Sequence, residues 1–96
     1  PDGDWRNTYF VPANLKASVE RAERLRPLVP PGETMAAMAL RFVLSNPDVA
    51  TVIPGMRRPA NVRANVAASD AGPLPAGMLD ELKKHRWVRT PTEWSQ

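Results

Sequence analysis

Apolar residues recur at three- and four-residue steps through the first half of the chain, which predicts two helices over residues 12–45. The first begins at Pro12, ends near Leu28 and carries one apolar stripe, formed by Leu15, Val19, Ala22, Leu25 and Leu28. The second begins after Thr34, a residue type that caps helix N-termini. It is apolar on almost every side apart from Arg41, so we expect it to be covered on more than one side.

A short run of β-branched residues follows these helices. Residues 50–53 have the length and composition of a strand that is buried on both faces in a parallel sheet. No second strand is predicted anywhere in the chain, and one strand alone cannot form a sheet. The pattern therefore predicts a mainly α fold with one short strand, as expected for a piece of a larger α/β fold.

Two further helices are predicted in the second half of the chain. Proline suits a first helical position because its missing N–H is not needed there, so Pro59 opens a helix over residues 59–69. We expect this helix to bury Val62, Val66 and Ala67. The last helix covers residues 75–85, and its inward-facing positions are Met78, Leu79 and Leu82.

The two ends of the chain are predicted to be irregular. Residues 1–11 show no helical period and form a loop that contains Asp2 and Asp4. Two carboxylates on a loop without further ligands are typical of solvated side chains, so no metal site is predicted. Residues 86–96 form a tail, and the residues expected to anchor it are Trp87 and Trp94.

Composition limits the class of protein. The 96 residues permit one small domain, in which 43% of the residues are hydrophobic, as in a globular protein. Cysteine is absent, which excludes disulfides and thiolate metal sites. No stretch approaches the roughly 18 apolar residues of a membrane span, and the first residues do not resemble a signal peptide. We therefore expect a cytoplasmic protein with no membrane contact.

Positive charge without neighbouring acids is confined to one place. Over residues 20–24 arginines alternate with glutamates, as on a solvated helix face, whereas Arg57, Arg58 and Arg63 have no acids nearby. An alternative function is therefore a free-standing helical module that binds nucleic acid or a protein through these arginines. The long proline-rich break at residues 29–33 does not fit the tight turn of a helix-turn-helix, so we favour a protein with no nucleic-acid partner.

The segment from Thr51 to Asn65 predicts an anion-binding pocket. It contains the short strand, a glycine turn with two arginines and the helix opened by Pro59. The first N–H groups of a helix have no partner inside it, and the helix dipole makes that end partly positive. Gly55 allows the backbone to approach a ligand closely, and Arg57 can donate two hydrogen bonds to a phosphate.

The chain resembles the C-terminal third of bacterial aldo-keto reductases. The resemblance depends on the order of four features, which are the helix Met38–Leu44, the turn Asn46–Val49, the segment Val52-Ile53-Pro54-Gly55-x-Arg57-x-Pro59 and a helix ending near Asn65. It implies the C-terminal portion of a (β/α)₈ TIM barrel. Residues 12–45 would be the seventh helical layer, and the eighth strand, the eighth helix and the extra C-terminal helix would be 50–53, 59–69 and 75–85. Such barrels need about 250 residues, so the resemblance implies a fragment.

The resemblance also implies a cofactor site. In the family, the turn after the eighth strand holds the adenosine 2′-phosphate of NADPH, so the expected cofactor is NADP(H). The matching residues here are Gly55, Met56 and Arg57 in the turn and Asn61, Ala64 and Asn65 on the helix. Met56 and Ala64 depart from the family pattern, because position 56 is more often alanine or polar and position 64 is often glutamate.

The resemblance implies no catalytic residue in this chain. The family's catalytic aspartate, tyrosine, lysine and histidine lie on earlier strands and loops, and neither Tyr9 nor His85 has the matching sequence context. We therefore expect the chain alone to be inactive, with the missing N-terminal barrel portion as its partner and a small-molecule carbonyl compound as the substrate. Without that partner the fragment is expected to self-associate through apolar positions, namely Met38, Phe42, Val52 and Ile53.

Overall fold

The structure, a computed structural model, describes residues 2–88 and is helical over that range. Its helices are α1 (Arg6–Tyr9), α2 (Pro12–Leu25), α3 (Met35–Leu44), α4 (Pro59–Asp70) and α5 (Ala76–Lys83). One turn of 3₁₀ helix, Arg26–Leu28, follows α2. The mainly α prediction is confirmed. The part of the predicted tail beyond Val88, with Trp94, lies outside the described residues.

The predicted strand at residues 50–53 is wrong for this structure. The chain from Val49 to Arg57 carries no regular secondary structure, and no strand occurs within residues 2–88. Ile53 is 94% exposed instead of buried on both faces. The physical reason is that an extended segment becomes a strand only when a second one satisfies its backbone N–H and C=O groups.

The chain divides into two compact units, and the first contains Pro1–Pro27 and His85–Gln96. Its longest helix is α2, whose predicted apolar stripe is only partly buried, because Leu15 is 49% and Val19 is 53% exposed. In the same unit the Arg21 guanidinium carbon lies 4.3 Å from the centre of the Trp87 ring, which is the geometry of a cation–π contact. Trp87 therefore has a partner, as the sequence led us to expect.

The N-terminal residues, expected to be a loop, contain the single helical turn α1. The Asp4 carboxylate explains it, since Oδ1 accepts hydrogen bonds of 2.9 Å from both the backbone N–H and the Nε of Arg6. An acceptor at a helix start satisfies an N–H that the helix itself leaves free. Asp4 thus has a local structural role. Within residues 2–88 no group of three or more metal-ligating side chains occurs.

This contact predicts a pH dependence for α1. The hydrogen bond from the Arg6 side chain lowers the pKa of Asp4 from its ordinary 3.8 to about 2. Because the folded pKa is the lower one, the contact stabilises α1 fully above about pH 4 and is lost as the pH falls through about 2. We expect the Arg6 amide resonance to titrate with a midpoint near 2, and the Asp4→Asn variant to show no such transition. A midpoint near 3.8 would contradict the contact.

The second unit, Leu28–Lys84, contains the predicted anion-binding segment. In it α3 begins at the predicted N-cap, where the Thr34 hydroxyl accepts a 3.1 Å hydrogen bond from the Ala37 N–H. Helix α3 packs against α4. The buried apolar side chains of the described residues all belong to this unit, and they are Met38, Ala68 and Leu74.

The buried face of α4 differs from the expected one. Val62 is 39% and Val66 is 54% exposed, Ala67 is also exposed, and the buried residue is Ala68. Helix α4 therefore buries the small side chain of Ala68 and leaves its valines partly exposed. The apolar period located the helix correctly but gave the wrong orientation about its axis.

Arg41 joins α3 to the chain that follows α4. Its Nε donates to the Gly72 carbonyl at 2.9 Å, its Nη2 donates to the Pro73 carbonyl at 3.2 Å, and its Nη1 pairs with the Glu33 carboxylate. Gly72 has a φ of 78°, the left-handed conformation that glycine adopts readily after a helix C-terminus. One turn beyond Arg41, the Ser45 hydroxyl accepts a 2.9 Å hydrogen bond from the Leu74 N–H. These contacts fix the C-terminal end of α4 on α3.

Within the described residues, no helix combines the length and the apolar character that crossing a membrane would require.

Candidate functional site

The start of α4 leaves one backbone donor of its first turn, the Ala60 N–H, available to a ligand. Arg58 is the N-cap residue, and its carbonyl accepts hydrogen bonds from the N–H groups of Asn61 at 2.9 Å and Val62 at 3.2 Å. Pro59 occupies the first helical position, as predicted. No side chain caps this end, and the first turn contains no acidic residue. The partly positive end of the helix is therefore not neutralised within its own first turn.

The arginines beside this helix start are exposed and free. Arg57, Arg58 and Arg63 are all solvent-exposed, and among residues 2–88 none of them has an ion pair or a hydrogen-bonded side chain. By contrast, Arg26 is paired with Glu23 at 2.7 Å. A guanidinium without an internal partner keeps all its donors for a ligand.

The turn before α4 is tied to the helix by one side chain. The Asn65 Nδ2 donates a 3.1 Å hydrogen bond to the Gly55 carbonyl, ten residues earlier in the chain. The structure therefore brings Gly55 and Asn65 together, two of the six residues predicted for the site. Sequence reasoning had placed both near a ligand but gave no sign of a bond between them.

The other predicted site residues lie around this contact. Asn61, Ala64 and Asn65 share one face of α4, because residues three and four apart on a helix are neighbours. Asn61 and Ala64 are exposed, and Met56 is 51% exposed in the turn. A Cβ atom built on Gly55 would meet nothing within 4 Å, so the space beside this backbone is open. The arrangement suits a phosphate ester whose organic part lies along this face.

Tyr9 and His85 have side chains that can take part in catalysis, and both lie outside this segment. Tyr9 makes edge-to-face contacts with Trp5 and Phe10, at centroid distances of 5.8 and 4.8 Å. His85 follows Lys83, the last residue of α5, by two positions. Neither observation assigns a catalytic role.

Sequence reasoning missed the polar cluster of Glu33, Arg41 and Ser45 that holds α4 on α3. A signal was available, because a lone arginine in an otherwise apolar helix needs oxygen acceptors wherever the helix is covered. The sequence could not indicate which acceptors, since the Gly72 and Pro73 carbonyls are more than 30 residues away along the chain.

Comparison with known protein families determines the class of the protein. The family model described as "Aldo/keto reductase family" matches residues 11–86. The chain belongs to the aldo/keto reductase family. The match includes every residue of the candidate site, and this family consists of oxidoreductases that generally use NAD(P)H. A search of the curated proteins and a search of the solved structures find no match to the chain.

Proposed function

We propose that this aldo/keto reductase chain is the C-terminal part of the barrel and contributes the adenosine 2′-phosphate end of an NADP(H) site. The turn would supply Gly55, Met56 and Arg57, and α4 would supply Asn61, Ala64 and Asn65. The order of an irregular run, the uncapped helix α4 and the further helix α5 within the matched segment supports this placement. Exposed apolar residues in both units support the proposal that a larger barrel covers them; examples are Val19, Ile53 and Val66.

The main support for this proposal is that Arg57 is exposed and unpaired beside the uncapped start of α4. A phosphate monoester near neutral pH carries close to two negative charges and offers three oxygens. The guanidinium can donate two parallel hydrogen bonds to it, and the helix end adds the Ala60 N–H and the partly positive end of its dipole. The residues present therefore fit the 2′-phosphate that distinguishes NADP(H) from NAD(H).

Two residues that depart from the family pattern, Met56 and Ala64, reduce the number of side chains that can make polar contacts to the cofactor. Met56 offers its backbone N–H but no side-chain hydroxyl, and Ala64 offers no carboxylate to the adenosine. The polar side chains of α4 that would contact the adenosine are then Asn61 and Asn65. We infer that most of the binding free energy from this chain comes from the phosphate contacts.

In the complete enzyme, bound NADPH would supply a hydride from its nicotinamide C4 to the carbonyl carbon of a small substrate. The residues of this chain would bind and orient the adenosine end of the cofactor. Proton transfer to the carbonyl oxygen would belong to residues of the N-terminal barrel portion. Without them we expect no turnover.

The proposal that this chain binds the cofactor but lacks the catalytic groups is tested by comparing NADPH oxidation by the complete protein and by the isolated chain. The complete protein that carries these residues is expected to oxidise NADPH in the presence of a reactive aldehyde, and the 96-residue chain alone is expected to show no oxidation above the no-protein rate. The decrease in NADPH absorbance measures both. Turnover by the isolated chain would contradict the proposal that the catalytic groups lie outside it. Absence of turnover in the complete protein would contradict the proposed reductase activity.

A further inference from the structure

A cleft with a volume of about 450 Å³ is present in the second unit, and none of the six proposed cofactor-binding residues lines it. It is lined by residues of α3, of the turn after α3 and of α5. Most of its lining is apolar and includes Phe42, Val43, Val49 and Leu79. Small-molecule pockets commonly have volumes of roughly 300–1,000 Å³ and mostly apolar walls. The cleft therefore has the size and the lining of a small-molecule site.

The two walls of this cleft are joined by hydrogen bonds of Ser45. Its hydroxyl donates to the Arg41 carbonyl at 2.6 Å and accepts from the Leu74 N–H, just before α5 begins. On α5, Leu79 and Lys83 lie four residues apart and so share one face of the helix. The end of α3 and this face of α5 are thus held together by contacts within one unit.

Two hydrogen-bond donors of the cleft are available to a ligand. Lys83 is exposed, and within residues 2–88 its ammonium has no ion pair, whereas the adjacent Lys84 is paired with Glu81 at 2.7 Å. The Asn46 Oδ1 accepts a 3.0 Å hydrogen bond from the Asp48 N–H, which leaves the Nδ2 hydrogens for a ligand. None of the described residues that line the cleft is acidic. The cleft therefore combines apolar walls with one uncompensated positive charge.

We propose that this cleft is a second binding site, which takes a carboxylate with an aliphatic chain. The chain packs against Phe42, Val43 and Leu79, where removing apolar surface from water favours binding. The carboxylate accepts hydrogen bonds from the Lys83 ammonium and the Asn46 amide. One ammonium matches the single charge of a carboxylate, whereas a phosphate would keep a second charge beside apolar walls. The site is independent of the proposed cofactor site, with which it shares no residue.

Methyl NMR resonances of the complete protein test the proposal, because Val43, Val49 and Leu79 carry methyl groups at the cleft. Sodium octanoate is the probe, and we expect it to shift these resonances with saturation. Butyrate has four fewer methylene groups and is expected to bind at least about tenfold more weakly, since each buried methylene adds to the affinity. Octylamine has a similar chain but a positive head group, so its Kd is expected to lie about three- to tenfold above that of octanoate.

Two variants on the exposed side of α5 complete the test. Lys83→Ala is expected to raise the Kd of octanoate about two- to fivefold, as for the loss of one exposed ion pair, without raising that of octylamine. Lys84→Ala is the matched control, since Lys84 does not line the cleft, and it is expected to leave both values unchanged. Absence of saturable shifts at the three methyl-bearing residues would overturn the proposal, and so would equal effects of the two variants on octanoate binding.

Discussion

Replacing Arg41 with alanine is expected to lower the free energy of unfolding by about 2–3 kcal/mol. The guanidinium donates to the Gly72 and Pro73 carbonyls and pairs with Glu33, and the two charged side chains are only 13% and 23% exposed. Its loss leaves a partly buried carboxylate without a counter-charge and two carbonyls without their donor. Complete burial would make the penalty larger, about 3–5 kcal/mol.

Urea denaturation of the complete protein measures this effect, and Arg26→Ala is its matched control. Arg26 also forms an ion pair, with Glu23, but both side chains are more than half exposed, so its loss is expected to cost less than about 0.5 kcal/mol. Arg41→Lys keeps the charge but not the forked geometry and is expected to fall between the two. Equal shifts for Arg41→Ala and Arg26→Ala would show that the Arg41 contacts do not stabilise the fold.

Local signals were sufficient to predict the four longer helices, α2 to α5. A threonine cap fixed the start of α3, and Pro59 fixed the start of α4, because both act through groups within one helical turn. Apolar periodicity located α2 in the same way. The short helix α1 was missed because its signal is a single carboxylate two residues before Arg6.

Features that depend on distant partners could not be predicted from the pattern. The segment 50–53 has strand composition, but pairing decides whether a strand forms. Val62 and Val66 have the spacing of a buried stripe, yet Ala68 is the buried residue of α4. Both errors concern surfaces that a barrel would complete, which agrees with the proposed place of this chain in the family fold.

Part of the candidate site could be predicted from the sequence. Gly55, Arg57 and Pro59 lie close together in the chain, so their combination with a helix start could be recognised directly. The bond from Asn65 to Gly55 spans ten residues, and its geometry depends on how the turn folds back along α4. Binding of NADP(H) by these residues stays a prediction.

Arg57→Ala is expected to produce the largest change in cofactor affinity. A charged hydrogen bond contributes about 1.5–3 kcal/mol, which corresponds to a rise in the Kd of NADPH of about 10- to 100-fold. NADH has no 2′-phosphate, so its Kd is expected to change less than about twofold. The matched control is Arg63→Ala, since Arg63 lies two residues after Asn61 and hence on a different face of α4. We expect that variant to bind both cofactors as the wild type does.

The central claim is that Arg57 binds the 2′-phosphate, and the ratio of the NADH and NADPH dissociation constants tests it most directly. Fluorescence titration of the complete protein with each cofactor gives that ratio for the wild type, for Arg57→Ala and for Arg63→Ala. We predict that Arg57→Ala lowers the ratio at least about tenfold and that Arg63→Ala leaves it unchanged. An Arg57→Ala variant that weakens NADPH and NADH equally, or neither, would contradict the claim.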